Sequence, residues 1–266
     1  MKIIANGISM NYELVGNGKC LTLIHGAGDN LNAWFNQVPA FSQRYRVLTY
    51  DVRGHGQTEM TEEELTTELW VEDLYALLKG LNISEAFLLG HSMGGAIALQ
   101  FILTYPEMIK ALILSNSGGA TGRSEEEMRQ MVATRQAQIE AVKREGMEAV
   151  VKDRFSRMFS PGFVEKNPEI TEQYKSVLLQ NKPEGYLRVM QRMGRPGTNP
   201  DLSKISCPTL VIGGEYDFGG SSAAKATQEA IHGSQLKVFP TGHAPAIEVP
   251  GEYNETVLTF LARVAE

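Results

Sequence analysis

"FLLGHSMGGAIALQF", residues 87–101, decides how this chain is read. A short apolar run breaks into a glycine-rich segment and resumes as an apolar pattern with helical spacing. The first part has the continuous apolar character of a strand covered on both faces. Ser92 stands between Gly90 and Gly94 in a G-x-S-x-G pattern at the switch. In a sharp strand-to-helix turn such a serine is held in a strained backbone conformation, and the positions two residues away have room only for glycine. The turn lifts the Ser92 hydroxyl above the carboxyl edge of a sheet. The helix that follows aims its free N–H groups at whatever the hydroxyl attacks. A glycine-rich helix start that only packs closely on a neighbour carries the same letters, so the rest of the chain must separate the two. A phosphate-binding loop fits worse, because no lysine follows the glycines and there is no G-x-G-x-x-G.

Outward from this stretch, short runs rich in Val, Ile and Leu recur at 20–26, 45–51, 86–92, 111–117, 209–217 and 235–243. Helical patterns lie between many of them, notably at 61–81, 93–106 and 252–266. Strands alternating with helices predict an α/β fold with a doubly wound, mostly parallel sheet. The opening "IIANGISMNYELVG" alternates around an Asn-Gly turn signal and predicts an antiparallel hairpin on the sheet edge. Residues 119–200 break the rhythm: "SEEEMRQMVATRQAQIEAVKREG", "MEAVVKDRFSRMF" and "PEGYLRVMQRMG" all read as helices, separated by Gly and Pro punctuation. The expected organisation is a core of residues 1–118 and 201–266, with a helical insertion at 119–200 that is not an independent domain.

The 266 residues are 42% apolar and 21% charged, an ordinary balance for a soluble globular chain, and carry a net charge of −6. The basic residues are scattered, which argues against a nucleic-acid surface. The "EEE" clusters at 62–64 and 125–127 read as solvated helix starts. No apolar run approaches the ~18 residues that span a bilayer, and the first twenty residues lack the apolar core of a signal peptide, so no membrane partner and a cytoplasmic location are expected. Cys20 and Cys207 read as buried free thiols, outside any CxxC or metal-ligand spacing. No metal site and no organic cofactor are expected, and the chain is expected to be a monomer or homodimer.

A serine hydroxyl needs a base within hydrogen-bond reach, and the base needs an orienting acid. Of the five histidines, His25 and His55 lie in the loops "HGAG" and "RGHG", His91 adjoins Ser92, and His232 sits near a helix end. His243, just after the last strand, would stand over the same sheet edge as Ser92 and is the best base by placement. The strand ending "SNSGG" (115–119) offers no carboxylate, whereas "TLVIGGEYD" (209–217) offers Glu215 and Asp217. Asp217, at the start of the following loop, is favoured as the acid, with Glu215 as the fallback.

With these residues in hand, the chain resembles the α/β-hydrolase fold family along nearly its whole length outside the insertion. The resemblance rests on "HGAG" (25–28), "YDVRGHGQT" (50–58), "GHSMGG" (90–95) and "GHAPAIEVP" (242–250). Within that family it is similar to the small bacterial carboxylesterases and 3-oxoadipate enol-lactonases. Thr58 stands where the family usually has serine, and "GGSS" (219–222) replaces a proline-containing loop. The resemblance implies an oxyanion hole built from the backbone N–H groups of Ala27 and Met93. His25, Asp51, Arg53, His55 and Glu248 are expected to hold loop geometry through hydrogen bonds, with direct catalysis as the alternative.

The chemistry implied is two-step acyl transfer on a small-molecule ester, with Ser92 as nucleophile, His243 as base and Asp217 as acid. The insertion, rich in Met and Phe, would form an adaptable apolar cap. Met128, Met131, Phe155 and Phe159 from the cap, with Trp34 and Phe35 from the core, are the candidates for contact with a small to medium, largely apolar substrate. Enol-lactonases and carbon–carbon bond hydrolases share the triad, although "DN" after "HGAG" lowers the second reading. A ligand sensor that hydrolyses very slowly is the alternative of another class, and sustained turnover separates it from an enzyme.

Overall fold

The computed structural model describes residues 1–117, 125–193, 200–218 and 220–265. Its eight strands are β1 (Lys2–Ala5), β2 (Ile8–Val15), β3 (Cys20–Ile24), β4 (Arg46–Tyr50), β5 (Ala86–His91), β6 (Ile109–Ser115), β7 (Thr209–Gly214) and β8 (Gln235–Phe239). They form one sheet in the order β1-β2-β4-β3-β5-β6-β7-β8. The β1–β2 and β2–β4 pairs are antiparallel and every other pair is parallel. The hairpin between β1 and β2 turns through Asn6 and Gly7, both with positive φ, as the two-residue turn requires.

The central helices are α1 (Val38–Phe41), α2 (Thr67–Gly80) and α3 (Met93–Thr104). Between β6 and β7 run α4 (Glu125–Glu145), α5 (Met147–Arg157), α6 (Phe163–Lys166), α7 (Pro168–Leu179) and α8 (Pro183–Met193). The chain closes with α9 (Gly220–Ala230), α10 (Pro245–Glu248) and α11 (Pro250–Ala265). Among the described residues no helix is long and apolar enough to cross a membrane.

Alternation along the buried strands feeds two apolar layers. Leu88, Leu112 and Leu114 face α2 and α3, meeting Trp70, Leu74, Ile97 and Phe101. Phe87, Leu89, Ile113 and Ile212 face the other way, meeting Phe41, Tyr253, Val257 and Leu261 from α1 and α11. Full burial of each such side chain contributes roughly 1.5–3 kcal/mol, so the sheet is covered on both sides by a sizeable apolar layer. Both cysteines are free thiols, Cys20 buried and Cys207 half-buried.

Two readings of the helical segments need correction. The helix predicted over 61–81 begins at Thr67, capped by the Thr66 side chain, which accepts from the N–H of Leu69. Residues 61–66 instead wrap the buried Arg53, with Thr61 Oγ1 at 2.8 Å and Glu63 Oε2 at 3.1 Å. The acidic run at 62–64 does not open a helix; Glu63 of that run pairs with Arg53 instead. The run at 125–127 does open α4. The helix α7 has no counterpart in the segments singled out from the sequence. The insertion boundary at 118/119 and the segment 194–199 lie outside the described residues, as does Gly219 of "GGSS".

Candidate active site

At the end of β5 the chain turns through Ser92, with φ 52° and ψ −115°, and enters α3 at Met93. A β-carbon on Gly90 would lie 2.4 Å from the Gly94 carbonyl oxygen, and one on Gly94 would lie 2.1 Å from the Ile24 oxygen. These are collisions with backbone, so the glycines are clearance for the turn. The Ser92 N–H is held by the Ser115 carbonyl at 3.0 Å, and the Ser117 hydroxyl donates to the Ser92 carbonyl at 2.8 Å. The strained residue is thus pinned from β6 and the loop after it.

The loop after β8 carries His243. Its backbone N–H donates to the Met158 carbonyl at 2.6 Å, and Glu248 accepts from the N–H of Gly242 at 2.8 Å and of Ser160 at 3.0 Å. Burial pushes the Glu248 carboxyl up, against the pull of those N–H groups. Glu248 therefore ties the histidine loop to the end of α5. The His243 Nε2 lies 2.9 Å from Ser92 Oγ, and Nδ1 lies 2.7 Å from Asp217 Oδ1. This pattern fixes the tautomer: Nδ1–H donates to the carboxylate and Nε2 accepts from the hydroxyl. Asp217 also accepts from the Phe218 N–H at 2.7 Å and from Asn116 Nδ2 at 2.9 Å. Burial works to raise its carboxyl, but the hydrogen bonds from His243, Asn116 and Phe218 outweigh it and hold the group below its ordinary value. Glu215, the fallback acid, is exposed.

The other histidines stay outside this chain of bonds. His25 Nε2 accepts from the Val52 N–H at 3.0 Å, and its Nδ1 faces the Gly26 carbonyl at 2.8 Å. His55 Nε2 accepts from the Gly28 N–H at 3.0 Å. Both rings tie the loops after β3 and β4 together, and burial depresses the pKa of each. His91 points its Nδ1 at the Ser115 carbonyl, 3.2 Å away, and burial with the neighbouring His243 pushes it down to about 3. Arg53 forms a two-pronged bond to Asp73, at 2.8 Å and 2.6 Å, in the interior. Asp51 accepts from Leu31 N–H and Gln57 N–H. Thr58, the departure from serine, accepts from the Asn11 N–H at 2.9 Å, so its hydroxyl holds the loop to β2.

The loop after β3 approaches Ser92. A β-carbon on Gly26 would lie 3.4 Å from Ser92 Cβ. Ala27, next in the loop, is buried, and Met93 is the first residue of α3, where an N–H has no intrahelical acceptor. Trp34 is buried in the core layer with Leu21, Leu23 and Phe41, and with Phe35 it also lines a pocket against Val177 and Gln180. Phe35, Phe155 and Phe159 converge with Met158, Tyr174, Ala244 and Ile247 in one apolar cluster, beside His243 through Ala244. Met128 and Met131 stand on α4 and their side chains lie outside the described residues. Two further residues that the sequence does not single out bond to these side chains: Asn116 to Asp217 and Ser117 to the Ser92 carbonyl. Asn116 also has positive φ, 47°, at the carboxyl end of β6.

The family model for the alpha/beta hydrolase fold matches residues 20–250. The chain is 30% identical over 264 residues to 3-oxoadipate enol-lactonase 2 of Acinetobacter baylyi, covering 98% of this chain and 96% of that one. It is 28% identical over 272 residues to 2-hydroxy-6-oxo-6-(2'-aminophenyl)hexa-2,4-dienoic acid hydrolase of Metapseudomonas resinovorans, covering 98% and 90%. Among solved structures, a thermophilic esterase from Thermogutta terrifontis superposes with a TM-score of 0.87 at 28% identity, over 99% of this chain and 98% of that one.

Proposed function

The chain belongs to the alpha/beta hydrolase fold family, and from that membership we propose that it is a serine hydrolase cleaving a carboxylic ester of a small to medium, largely apolar substrate. The observation that carries the reading is the continuous hydrogen-bond chain from Ser92 Oγ through His243 to Asp217, at 2.9 Å and 2.7 Å. Both spacings are within reach for proton transfer and orientation.

In the proposed cycle, Ser92 Oγ attacks the acyl carbon while its proton passes to His243 Nε2. Asp217 stabilises the imidazolium that results. The backbone N–H groups of Ala27 and Met93 receive the negative oxygen of the tetrahedral intermediate, and losing one such donor costs ~3 kcal/mol. The intermediate collapses, the carbon–oxygen bond to the alcohol breaks, and His243 returns its proton to the leaving alcohol. Water then attacks the acyl-serine, again losing a proton to His243, and the acid leaves as Ser92 regains its hydrogen. The helices between β6 and β7 act as the cap, and the Phe35, Phe155 and Phe159 cluster supplies the apolar wall.

A lactone is an ester whose alcohol stays tethered, and the similarity to a 3-oxoadipate enol-lactonase supports lactone hydrolysis as the second reading. A carbon–carbon bond hydrolase on the same triad has the dienoic acid hydrolase as its support. A panel of esters, thioesters and lactones of varied chain length, run beside Ser92→Ala, tests the proposal. The expected outcome is sustained turnover of at least one ester that falls by about 10⁴-fold or more in the variant, with the fold intact. Unchanged turnover in Ser92→Ala would sink the assignment.

A further inference from the structure

A second buried polar chain lies against the triad and takes no part in the cycle above. Asp29 follows "HGAG", and a β-carbon on Gly26 would sit 3.1 Å from Asp29 Oδ2 and 3.4 Å from Ser92 Cβ. Asp29 Oδ1 accepts from the Tyr174 hydroxyl of α7 at 2.7 Å. That hydroxyl in turn accepts from Arg154 Nη1 of α5 at 2.8 Å, and the same nitrogen stands 3.5 Å from Asp29 Oδ1. Burial pushes the Tyr174 hydroxyl well above the usual tyrosine range, so it stays a donor to the carboxylate.

The backbone geometry says what this chain grips. The Asp29 N–H donates to the Gly26 carbonyl at 3.2 Å, closing a turn whose central residues are Ala27 and Gly28. Gly28 has φ +78°, the conformation that the third position of a type II turn needs. The direction of the Ala27 peptide is therefore set by a turn whose last residue is Asp29. Neighbouring bonds run the same way: Asn181 donates to the Gly28 carbonyl at 2.9 Å, and Asn30 donates to the Val177 carbonyl at 2.8 Å. The loop after β3 is held from the inserted helices as much as from the sheet.

We propose that Tyr174 and Arg154 are positioning residues for the oxyanion donor Ala27, acting through Asp29, so that seating α5 and α7 on the core completes the oxyanion hole. This rests on the serine hydrolase reading. A donor aimed by a preorganised turn stabilises the transition state more than the bound ester, so its loosening lowers kcat and leaves KM in place.

The test is Tyr174→Phe in the full chain. Steady-state hydrolysis of p-nitrophenyl acetate is measured beside inhibition by phenylboronic acid, whose adduct with the serine places an oxygen in the hole. The expected result is a fall in kcat of about tenfold, KM within about twofold, and phenylboronic acid inhibition weakened in parallel by about tenfold. Tyr105→Phe removes a hydroxyl bonded to Glu72 on the far side of α3 and is the control expected to leave all three values unchanged. Asp29→Asn keeps the shape and weakens the acceptor; it gives the same pattern at smaller amplitude, which preserves the test if the phenylalanine variant misfolds. Unchanged kcat and boronate inhibition in Tyr174→Phe overturn the proposal. So does a KM rise confined to acidic esters, which assigns Arg154 to substrate contact instead. Ser92→Ala in the same series separates the two levels: retained turnover there defeats the hydrolase reading, whereas its loss with an unaltered Tyr174→Phe defeats only this inference.

Discussion

His91 and His243 stand with ring centroids 5.0 Å apart, both largely shielded from water, yet their ring nitrogens have different partners. The Nδ1 of His91 meets a backbone carbonyl, and burial with the neighbouring His243 pushes the ring down to about 3, so it stays neutral. The Nδ1 of His243 meets the Asp217 carboxylate and its Nε2 meets the Ser92 hydroxyl. Burial is similar, so the partners make the difference. A ring bonded to backbone fastens a turn, whereas one between a carboxylate and a hydroxyl can accept a proton and be stabilised as it does so. The His25 and His55 pair, with centroids 4.9 Å apart, is of the first kind.

The largest expected effect breaks the comparison directly. His243→Gln should lower ester turnover by about 10⁴-fold or more, because the amide neither takes the serine proton nor returns it. His91→Gln should stay within about tenfold, since its amide N–H can still meet the Ser115 carbonyl. Steady-state rates on one ester, with circular dichroism to verify folding, settle it. Equal losses in the two variants would mean that His91 shares the chemistry.

The next effect is on stability. His25, His55 and His91 all have depressed pKa values in the folded chain and return on unfolding to about 6.5. Below 6.5 the unfolded chain binds protons that the native chain refuses. Stability therefore falls as pH drops from about 6.5, and for His91 the loss continues toward about 3. Each fully neutral histidine contributes up to ~1.4 kcal/mol per pH unit in that window. The depressed carboxyl of Asp217 adds in the same direction at lower pH, its contribution lost as pH falls through its folded value. Urea midpoints should fall from pH 7 to pH 5, and His91→Gln should flatten that slope by about one proton. A midpoint that rises on acidification contradicts the sign.

The contrast between partners also explains what could be read in advance. Ser92, Asp217 and His243 are legible because each follows the carboxyl end of a strand, β5, β7 or β8, and in a parallel sheet those ends lie along one edge. Local chemistry then narrowed the choice: glycine clearance at 90 and 94, and a short carboxylate opening a loop. Asn116 carries no acid or base, so its bond to Asp217 has no signature in the sequence beyond its place just past β6. Local rules place Glu62 to Glu64 at a helix start, and the pairing of Glu63 with the buried Arg53, 10 residues away in sequence, is invisible to them. The α7 helix had its signal, since Ile170, Tyr174, Val177 and Leu178 fall on one helical face. The bond from Tyr174 to Asp29 had none: the two are 145 residues apart in sequence, and no spacing rule links them.

The smallest effect sharpens what surrounds the His243 imidazole. His243 has a second ring neighbour, Phe218, with centroids 4.9 Å apart, and Arg157 of α5 lies 5.2 Å over that phenyl ring. Phe218 is 61% exposed, so its ring covers one side of that imidazole from the solvent side. Its contact with the acid is through the backbone N–H, so Phe218→Ala should leave the bond to Asp217 in place. What is lost is an exposed cation–π contact of about 0.5–1 kcal/mol and an apolar surface. The expected outcome is unchanged kcat, with KM raised about two- to fivefold for longer acyl esters and unaltered for acetate. A fall in kcat of an order of magnitude would show that the phenyl ring holds the imidazole in register. Partners on the two ring nitrogens would then be insufficient, and the difference between His243 and His91 would include the rings that flank them.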